Sequence, residues 1–336
     1  DLKKGTPSVN VHSLVQIAEN AQNTENRHAG PINGKHRRHL PTDGSPTFSM
    51  QLPESMDQQD TAEANRQAIL NSPSYRLAEY DFDFLKRDDI RHVRMTLELL
   101  KTETLLRDNN VKATVVVFGS ARIVPQEIAE LHLLAARQAA AQQPRDPQTK
   151  RAVQRAESVR AKSRFYDEAR QFGRLVSTVC QIEGRNDFVI ATGGGPGIME
   201  AANRGAFDVD AKSVGFNIDL PHEQEPNPYI TPDLCFRFHY FAIRKFHFIL
   251  RAKALVVFPG GFGTLDELFD TLCLRQTRRM QAIPIILYGR DYWESILDFP
   301  KMADEGVIDD EDLKLISFAE SPDEAWKIIA DFHGVK

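Results

Sequence analysis

Short apolar runs rich in β-branched residues alternate along the chain with longer segments whose apolar positions recur at helical spacing. Five such runs predict strands, at residues 113–121, 187–195, 213–218, 254–261 and 283–289. Strands that are apolar on both sides belong to parallel sheets with helices on both faces. The last helix is predicted over 321–332, with Ser321 as its N-cap and Pro322 in its first turn. The alternation predicts an α/β fold built on a doubly wound parallel sheet flanked by helices.

The region before the first predicted strand divides into two parts. Residues 1–75 contain repeated prolines and few aromatic residues, so we expect a disordered or loosely attached segment that buries too little apolar surface to offset its chain entropy. Residues 76–110 are predicted to form an N-terminal helical extension, because Ile90, Val93, Leu97 and Leu100 follow helical spacing. This amphipathic helix would pack on the outside of the α/β domain, which spans 111–336, or on a partner subunit.

A long connection separates the first two predicted strands and predicts a helical, basic insertion at about 126–165. Pro144 and Pro147 should interrupt its helix. Eight Lys or Arg residues lie between positions 137 and 164, against two acidic residues. Clustered positive charge can bind the phosphates of a nucleic acid, whereas a solvated helical hairpin needs no partner. The absence of interleaved aromatic residues favours the hairpin and makes nucleic acid an unlikely partner.

Composition adds a broad class. Apolar residues make up 41% and charged residues 26% of the chain, and the net charge is −5. Such values are typical of a soluble globular protein and give no electrostatic reason to expect nucleic acid or an anionic membrane. No run approaches the ~20 apolar residues of a membrane-spanning helix. The three cysteines show no metal-ligand spacing, so we expect a cytoplasmic protein with reduced thiols.

Three of the predicted strands end in turns that are rich in glycine. These turns contain Gly119 and Ser120, the stretch 193–197, and the stretch 259–264. In a parallel sheet they lie at the same edge, where glycine lets a ligand approach the backbone. A glycine turn that enters a helix also presents free N–H groups and a positive dipole end, which suit a phosphate. The alternative is that these glycines only allow tight packing of a strand on a helix.

Comparison with the known phosphate-binding sequence motifs narrows the range of possible ligands. Neither long turn offers the lysine of a P-loop, and the dinucleotide pattern Gly-x-Gly-x-x-Gly fails because Ile198 and Asp266 stand where its last glycine should be. A mononucleotide with one phosphate therefore fits better than a nicotinamide dinucleotide.

Two charged residues near these turns admit two interpretations each. Thr264 and Glu267 form the Thr-x-x-Glu pattern of a capping box at the start of a helix; alternatively, Glu267 reaches the sugar of a bound nucleotide and stabilises positive charge on it. Arg244 interrupts the apolar face of a helix predicted over 240–253. It either extends to water or presents its guanidinium to a ligand.

The motifs GGGPGIMEAANRGA (193–206), Arg244-Lys245 and PGGFGTLDE (259–267) together resemble the LOG family, often labelled "possible lysine decarboxylase". The resemblance covers about residues 110–333. It implies a Rossmann-like fold and a phosphoribohydrolase that cleaves the N-glycosidic bond of nucleoside 5′-monophosphates, either AMP or an N6-substituted cytokinin riboside monophosphate. The products would be the free base and ribose 5-phosphate. It further implies no organic cofactor, no metal and at least a homodimer.

The resemblance also implies roles for individual residues. Arg244 and Glu267 would be the catalytic pair, and Glu267 could act as a cap as well. Phosphate and nucleotide binding would fall to the glycine turns and their neighbours: Gly119, Ser120, Gly194, Gly195, Glu200, Lys245, Gly260, Gly261, Gly263 and Thr264. Of these, Glu200 would lie near the ribose or base.

Two other functions are alternatives to this hydrolase activity. Lysine decarboxylation uses a pyridoxal cofactor on a lysine, but the lysine in the motif cluster, Lys245, is accounted for by the Arg-Lys motif. The alternative function is a non-catalytic carrier of a nucleotide or of the molybdenum cofactor on the same scaffold. A carrier has no need of both Arg244 and Glu267, so their presence favours the enzyme.

Overall fold

The computed structural model describes residues 56–182, 187–220 and 225–335. The chain divides into two units at Tyr75. In the first unit, helix α1 (Met56–Asn71) lies within the segment expected to be disordered or loosely attached. Residues 1–55 fall outside the described residues, so that expectation stays a prediction for them.

The described part of the second unit contains one parallel sheet of seven strands in the order β4-β3-β2-β1-β5-β6-β7. The strands are β1 (Thr114–Phe118), β2 (Val189–Thr192), β3 (Ser213–Ile218), β4 (Cys235–Phe238), β5 (Ala252–Val257), β6 (Ile285–Tyr288) and β7 (Ile316–Ala319). Each neighbouring pair is parallel. The predicted Rossmann-like doubly wound sheet is confirmed.

The five predicted strands correspond to β1, β2, β3, β5 and β6, while β4 and β7 were not predicted. Both lie at an edge of the sheet. In β4 the burial alternates and Arg237 is exposed, and in β7 only Ala319 is fully buried. An edge strand packs against a neighbour on one side only, so it lacks the continuous apolar run on which the other predictions depend.

Helices cover both faces of the sheet. They are α2 (Phe82–Leu85), α3 (Arg91–Asp108), α4 (Gln126–Gln142), α5 (Pro147–Ala161), α6 (Arg164–Cys180), α7 (Ile198–Phe207), α8 (Phe241–Leu250), α9 (Phe262–Gln276), α10 (Arg290–Ile296), α11 (Phe299–Asp304) and α12 (Pro322–His333). The side chains of β1 show the two layers. Val115 and Val117 belong to a core shared with α6, α7 and α12, whereas Val116 and Phe118 belong to a second core shared with α3, α8 and α9.

The N-terminal helical extension contains the predicted amphipathic helix, α3. Leu106 is its deeply buried apolar side chain, whereas Val93, Leu97 and Leu100 are exposed in the single chain. Polar contacts hold α3 to α8 instead. Glu98 accepts hydrogen bonds from the backbone N–H groups of His239 (2.8 Å) and Tyr240 (3.3 Å), where α8 begins.

Two predictions from the sequence concern where a helix begins and where one is interrupted. The Ser321 hydroxyl accepts a hydrogen bond from the Glu324 N–H at 3.2 Å, and α12 begins at Pro322, as predicted. In the insertion, α4 ends at Gln142 and α5 begins at Pro147, so the two prolines interrupt the helix where expected. The insertion is a pair of helices joined by the ion pairs Arg137–Glu157 (2.9 Å) and Arg160–Glu130 (3.4 Å).

Candidate functional site

A cavity of about 870 Å³ opens at the carboxyl ends of β1 and β5. These strands are neighbours at the point where the strand order reverses, which is where ligands bind in open α/β sheets. The cavity brings together eight of the predicted site residues: Gly119, Ser120, Arg244, Gly260, Gly261, Gly263, Thr264 and Glu267. The backbone turns and the two charged side chains therefore face one common space.

Helix α9 begins at the floor of this cavity, and it begins earlier than predicted. Its N-cap is Gly261, whose carbonyl accepts a hydrogen bond from the Leu265 N–H at 3.0 Å. The predicted capping box of Thr264 and Glu267 is wrong, because glycine at the N-cap has no side chain and Thr264 lies inside the helix. The first N–H groups of α9 are not used by the helix's own hydrogen bonds and are free to bind an anion.

The glycines of this turn are required for two different reasons. A Cβ at position 260 would lie 2.1 Å from the Thr264 hydroxyl, so Gly260 is required by packing. Its carbonyl accepts a hydrogen bond from the Tyr292 hydroxyl at 2.6 Å, which holds the turn in place. A Cβ at Gly261 or Gly263 would meet nothing within 4 Å. The missing side chains at these two positions leave space in the cavity.

The turn after β1 is joined to both other turns. The Ser120 N–H donates to the Pro259 carbonyl at 3.0 Å, and the Ser120 carbonyl accepts from the Ile198 N–H at 3.2 Å. Gly119 is explained by packing, because a Cβ there would lie 2.6 Å from the side chain of Ile198. Gly197, with a φ of +72°, leaves room for the Ser120 carbonyl. The three turns thus form one connected hydrogen-bonded edge.

The triple-glycine turn lies outside the cavity and is held in place by hydrogen bonds. Gly194 has a φ of +73°, and its carbonyl and that of Gly195 accept hydrogen bonds from the backbone (2.8 Å) and the side-chain amide (3.0 Å) of Asn227. Within the described structure, neither glycine lines the cavity. Asn203 accepts from the Asn227 amide at 3.0 Å and so completes a buried network. Sequence reasoning missed Asn227, because no periodic or motif signal connects it with a turn so far away along the chain.

Arg244 is anchored inside the fold by a main-chain contact. Its Nε donates a hydrogen bond of 2.7 Å to the carbonyl of Phe216 in β3. A Cβ at Gly193 would lie 2.7 Å from an Nη atom of Arg244, so the guanidinium packs against the glycine backbone. Burial lowers the pKa of Arg244 below its usual value, and the nearby Glu267 and Asp266 oppose that shift. The side chain therefore does not simply extend to water; it is held at the cavity wall.

Glu267 is a buried carboxylate, with 5% of the residue exposed. Its Oε2 lies 3.3 Å from the ammonium of Lys245, which also lies 2.8 Å from Asp266 Oδ2. Burial raises the pKa of Glu267 above its usual range, while Lys245 and Arg244 partly offset that rise. For Lys245 itself, burial lowers the pKa, but Asp266 and Glu267 outweigh it and the net pKa is raised. Lys245 thus binds the carboxylates and does not line the cavity.

Glu200 has a different partner from the one expected. Its carboxylate accepts a hydrogen bond from the Tyr166 hydroxyl at 2.6 Å. Burial and this carboxylate raise the pKa of Tyr166. In the described structure Glu200 does not line the cavity, whereas its neighbour Met199 does.

The cavity also contains residues that sequence reasoning did not assign to it. They include Arg122 after β1, Ser158, Val159 and Lys162 from the insertion, and Phe262, Tyr292 and Ile296 from α9 and α10. The insertion, treated above as a solvated hairpin, therefore forms part of the wall. The described residues contain no group of three or more His, Cys, Asp or Glu that could hold a metal ion. Over the same ranges, no helix combines the length and apolar character that crossing a membrane requires.

Comparison with known proteins gives a match to a family model and several relatives. Residues 199–329 match the family model described as "possible lysine decarboxylase". The pyrimidine/purine nucleotide 5′-monophosphate nucleosidases of Escherichia coli strains K12 and O157:H7 are each 29% identical to this chain over 140 residues. That match covers 37% of this chain and 29% of the relative, so the chain spans less than a third of these relatives' length.

Two solved structures are similar to parts of this chain, each at 20% sequence identity. The molybdenum cofactor binding protein from the phototrophic bacterium Rippkaea orientalis has a TM-score of 0.36, covering 50% of this chain and 87% of that chain. A structural genomics target, TM1055, has a TM-score of 0.41, covering 65% of this chain and 99% of that chain.

Proposed function

We propose, from the premise that this chain belongs to the LOG family, that it hydrolyses the N-glycosidic bond of nucleoside 5′-monophosphates. One observation carries the proposal: the buried carboxylate of Glu267 and the anchored guanidinium of Arg244 face the same cavity as the open glycine turn of α9. A nucleotide carrier needs the turn alone, whereas cleavage needs charged groups held beside it. The relatives named as nucleotide 5′-monophosphate nucleosidases support the same reaction class.

The phosphate would bind at the start of α9. Gly261 and Gly263 leave the cavity open there. The first N–H groups of the helix and the positive end of its dipole would both attract an anion at this point. Gly119 and Ser120 close the other side of the same edge. This arrangement holds one phosphate and leaves the sugar directed toward Glu267.

In the reaction the bond between C1′ of the ribose and the base nitrogen breaks, and water supplies the hydroxyl at C1′. The transition state carries positive charge on the sugar, as in other glycoside hydrolyses. The carboxylate of Glu267 stabilises that charge and accepts a proton from the attacking water. The departing base takes up a proton, so that one nucleotide and one water give the free base and ribose 5-phosphate. Arg244 orients the substrate from the cavity wall.

The base would lie on apolar side chains. Met199, Phe241 and Phe262 line the cavity, and Phe262 is almost fully exposed. Aromatic faces stack on any base, and an apolar wall also accepts an N6 substituent. AMP and N6-substituted cytokinin riboside monophosphates are therefore the proposed substrates, the second giving cytokinin activation.

The family's older label finds no support in Lys245. A lysine that forms a Schiff base must be available as a neutral amine. The two carboxylates beside Lys245 raise its pKa and favour the protonated form. Its contacts fit a residue that holds Glu267 in place.

We also expect a cytoplasmic homodimer or larger assembly. Helices α3 and α8 expose apolar side chains in the single chain, namely Val93, Leu97 and Leu100 on the first and Phe246 and Leu250 on the second. A second copy of the chain would remove them from water. Light scattering coupled to size-exclusion chromatography tests this, and a monomer at micromolar concentration contradicts it.

The deciding experiment is chromatographic. The parent protein, Glu267→Gln and the control Glu305→Gln, an exposed carboxylate on the surface, are incubated with AMP and with isopentenyladenosine monophosphate. Free base and ribose 5-phosphate from the parent and the control, but not from Glu267→Gln, support the proposal. Binding of either nucleotide without cleavage by the parent contradicts it and favours a carrier.

A further inference from the structure

The end of the basic insertion lies at the cavity and not in open solvent. Helix α5 ends at Ala161 with Lys162 as its C-cap, and Ser158, Val159 and Lys162 line the cavity wall. Lys162 is half-buried, unlike the exposed Lys150 at the other end of the same helix. The insertion therefore contributes a cation to the site as well as a surface to the solvent.

Tyr292 connects Lys162 with the glycine turn. The Lys162 Nζ lies 5.9 Å from the centre of the Tyr292 ring, and the Tyr292 hydroxyl donates to the Gly260 carbonyl at 2.6 Å. A lysine ammonium on its flexible four-carbon stem thus stands one aromatic ring away from the turn that begins α9. A phosphate held by that turn would lie within reach of it.

The charge of Lys162 is not neutralised by the described part of the protein. Its Nζ donates to the Ser158 hydroxyl (2.7 Å) and carbonyl (3.3 Å), both neutral acceptors, and no carboxylate lies within ion-pair distance among the described residues. Three other cations of the same insertion do have carboxylate partners: Arg137 with Glu157, Arg160 with Glu130 and Arg164 with Glu168. An ammonium has three donors, so Lys162 keeps one for a ligand.

The contact with the Ser158 carbonyl has a local explanation, since a cation at a helix C-terminus stabilises the dipole. That explanation does not account for the position of the side chain in the cavity. Nor does the contact with the Ser158 carbonyl provide the positive charge that a bound phosphate would need. A phosphate monoester carries about −1.5 to −2 charges at neutral pH, whereas a helix N-terminus supplies only about +0.5. Lys245 is already bound to two carboxylates.

We propose that Lys162 binds the 5′-phosphate of the nucleotide opposite the glycine turn of α9, so that the helical insertion completes the phosphate site. The proposal rests on the function proposed above. Arg122, which also lines the cavity and has no carboxylate partner among the described residues, supplies a second charge from the turn after β1. The insertion thereby acts in substrate binding and not as a nucleic-acid surface.

The test compares Lys162→Ala and Lys162→Arg with the matched control Lys150→Ala. Steady-state kinetics with AMP and calorimetric titration with ribose 5-phosphate are measured for each, alongside the melting temperature. Loss of one charge-assisted contact is expected to weaken ribose 5-phosphate binding and to raise KM for AMP by about tenfold or more in Lys162→Ala. The value of kcat should change little, because the phosphate contact is the same in ground and transition states. Lys162→Arg should recover part of the affinity.

Equal affinity and KM in Lys162→Ala and the parent overturn the proposal, as does an equal loss in Lys150→Ala. The two proposals fail separately. If the parent binds AMP without cleaving it, the proposed hydrolysis fails, and the titration still decides the role of Lys162. If the parent binds neither AMP nor ribose 5-phosphate, both proposals are overturned.

Discussion

The ammonium of Lys245 lies 3.3 Å from the buried carboxylate of Glu267, which links α8 to α9 at the back of the cavity. Burial and Lys245 shift the pKa of this carboxylate in opposite directions. Burial raises the pKa of Glu267, and the neighbouring cation lowers it. The two residues of the Arg-Lys pair therefore act differently: Arg244 faces the cavity, and Lys245 lowers the pKa of Glu267 against the effect of burial.

Replacing Lys245 with Met should move the acidic limb of the pH–activity profile. Without the cation, the pKa of Glu267 rises further, so a higher pH is needed to obtain the ionised form that the proposed reaction uses. The limb of kcat/KM against pH is expected to shift upward. The exposed Lys101→Met serves as control. An unchanged limb would show that Lys245 does not set the ionisation of this carboxylate.

Glu267→Gln should change stability in a pH-dependent way. The pKa of Glu267 is raised in the folded state, so its contribution to stability is present below the unfolded pKa and is lost as pH rises through the folded pKa. Removing the acid should therefore raise the melting temperature relative to the parent at alkaline pH more than at acidic pH. Thermal denaturation across the pH range measures this, with Glu305→Gln as the exposed comparison. A difference that grows toward acidic pH would contradict the assignment.

Glu98 is expected to position Arg244 through the start of α8. It accepts hydrogen bonds from the N–H groups of His239 and Tyr240, and hydrogen bonds to a charged group contribute about 1.5–3 kcal/mol each. Glu98→Ala should lower both the melting temperature and kcat, while the exposed Lys101→Ala on the same helix leaves both unchanged. A loss of stability with kcat preserved would reduce Glu98 to a purely structural residue.

The glycine turn offers a matched pair of substitutions. In Gly260→Ala the new Cβ meets the Thr264 hydroxyl, and such overpacking costs about 1–3 kcal/mol. In Gly261→Ala the Cβ enters open space in the cavity, so the protein should keep its stability and lose affinity for the phosphate. Denaturant unfolding and KM for AMP separate the two effects. Normal KM in Gly261→Ala would place the phosphate elsewhere.

The sequence by itself determined the class of the fold and predicted which edge of the sheet carries the glycine turns. Continuous apolar runs such as 113–118 can be buried on both sides only in a covered parallel sheet. The carboxyl ends of parallel strands share one edge, so the glycine turns were predicted to meet there. These inferences depend on local patterns of apolar residues and glycines, which can be recognised in a single sequence.

Only the tertiary structure decided the contacts that give this edge its chemistry. It placed the start of α9 at Phe262 and removed Glu267 from any capping role. It joined Arg244 to the Phe216 carbonyl, and it brought Lys162 from an insertion to the cavity wall. Each of these depends on residues far apart in the chain being packed together. Spacing along the sequence carries no information about which side chain fills the space beside a turn; the packing of whole helices on the sheet decides it.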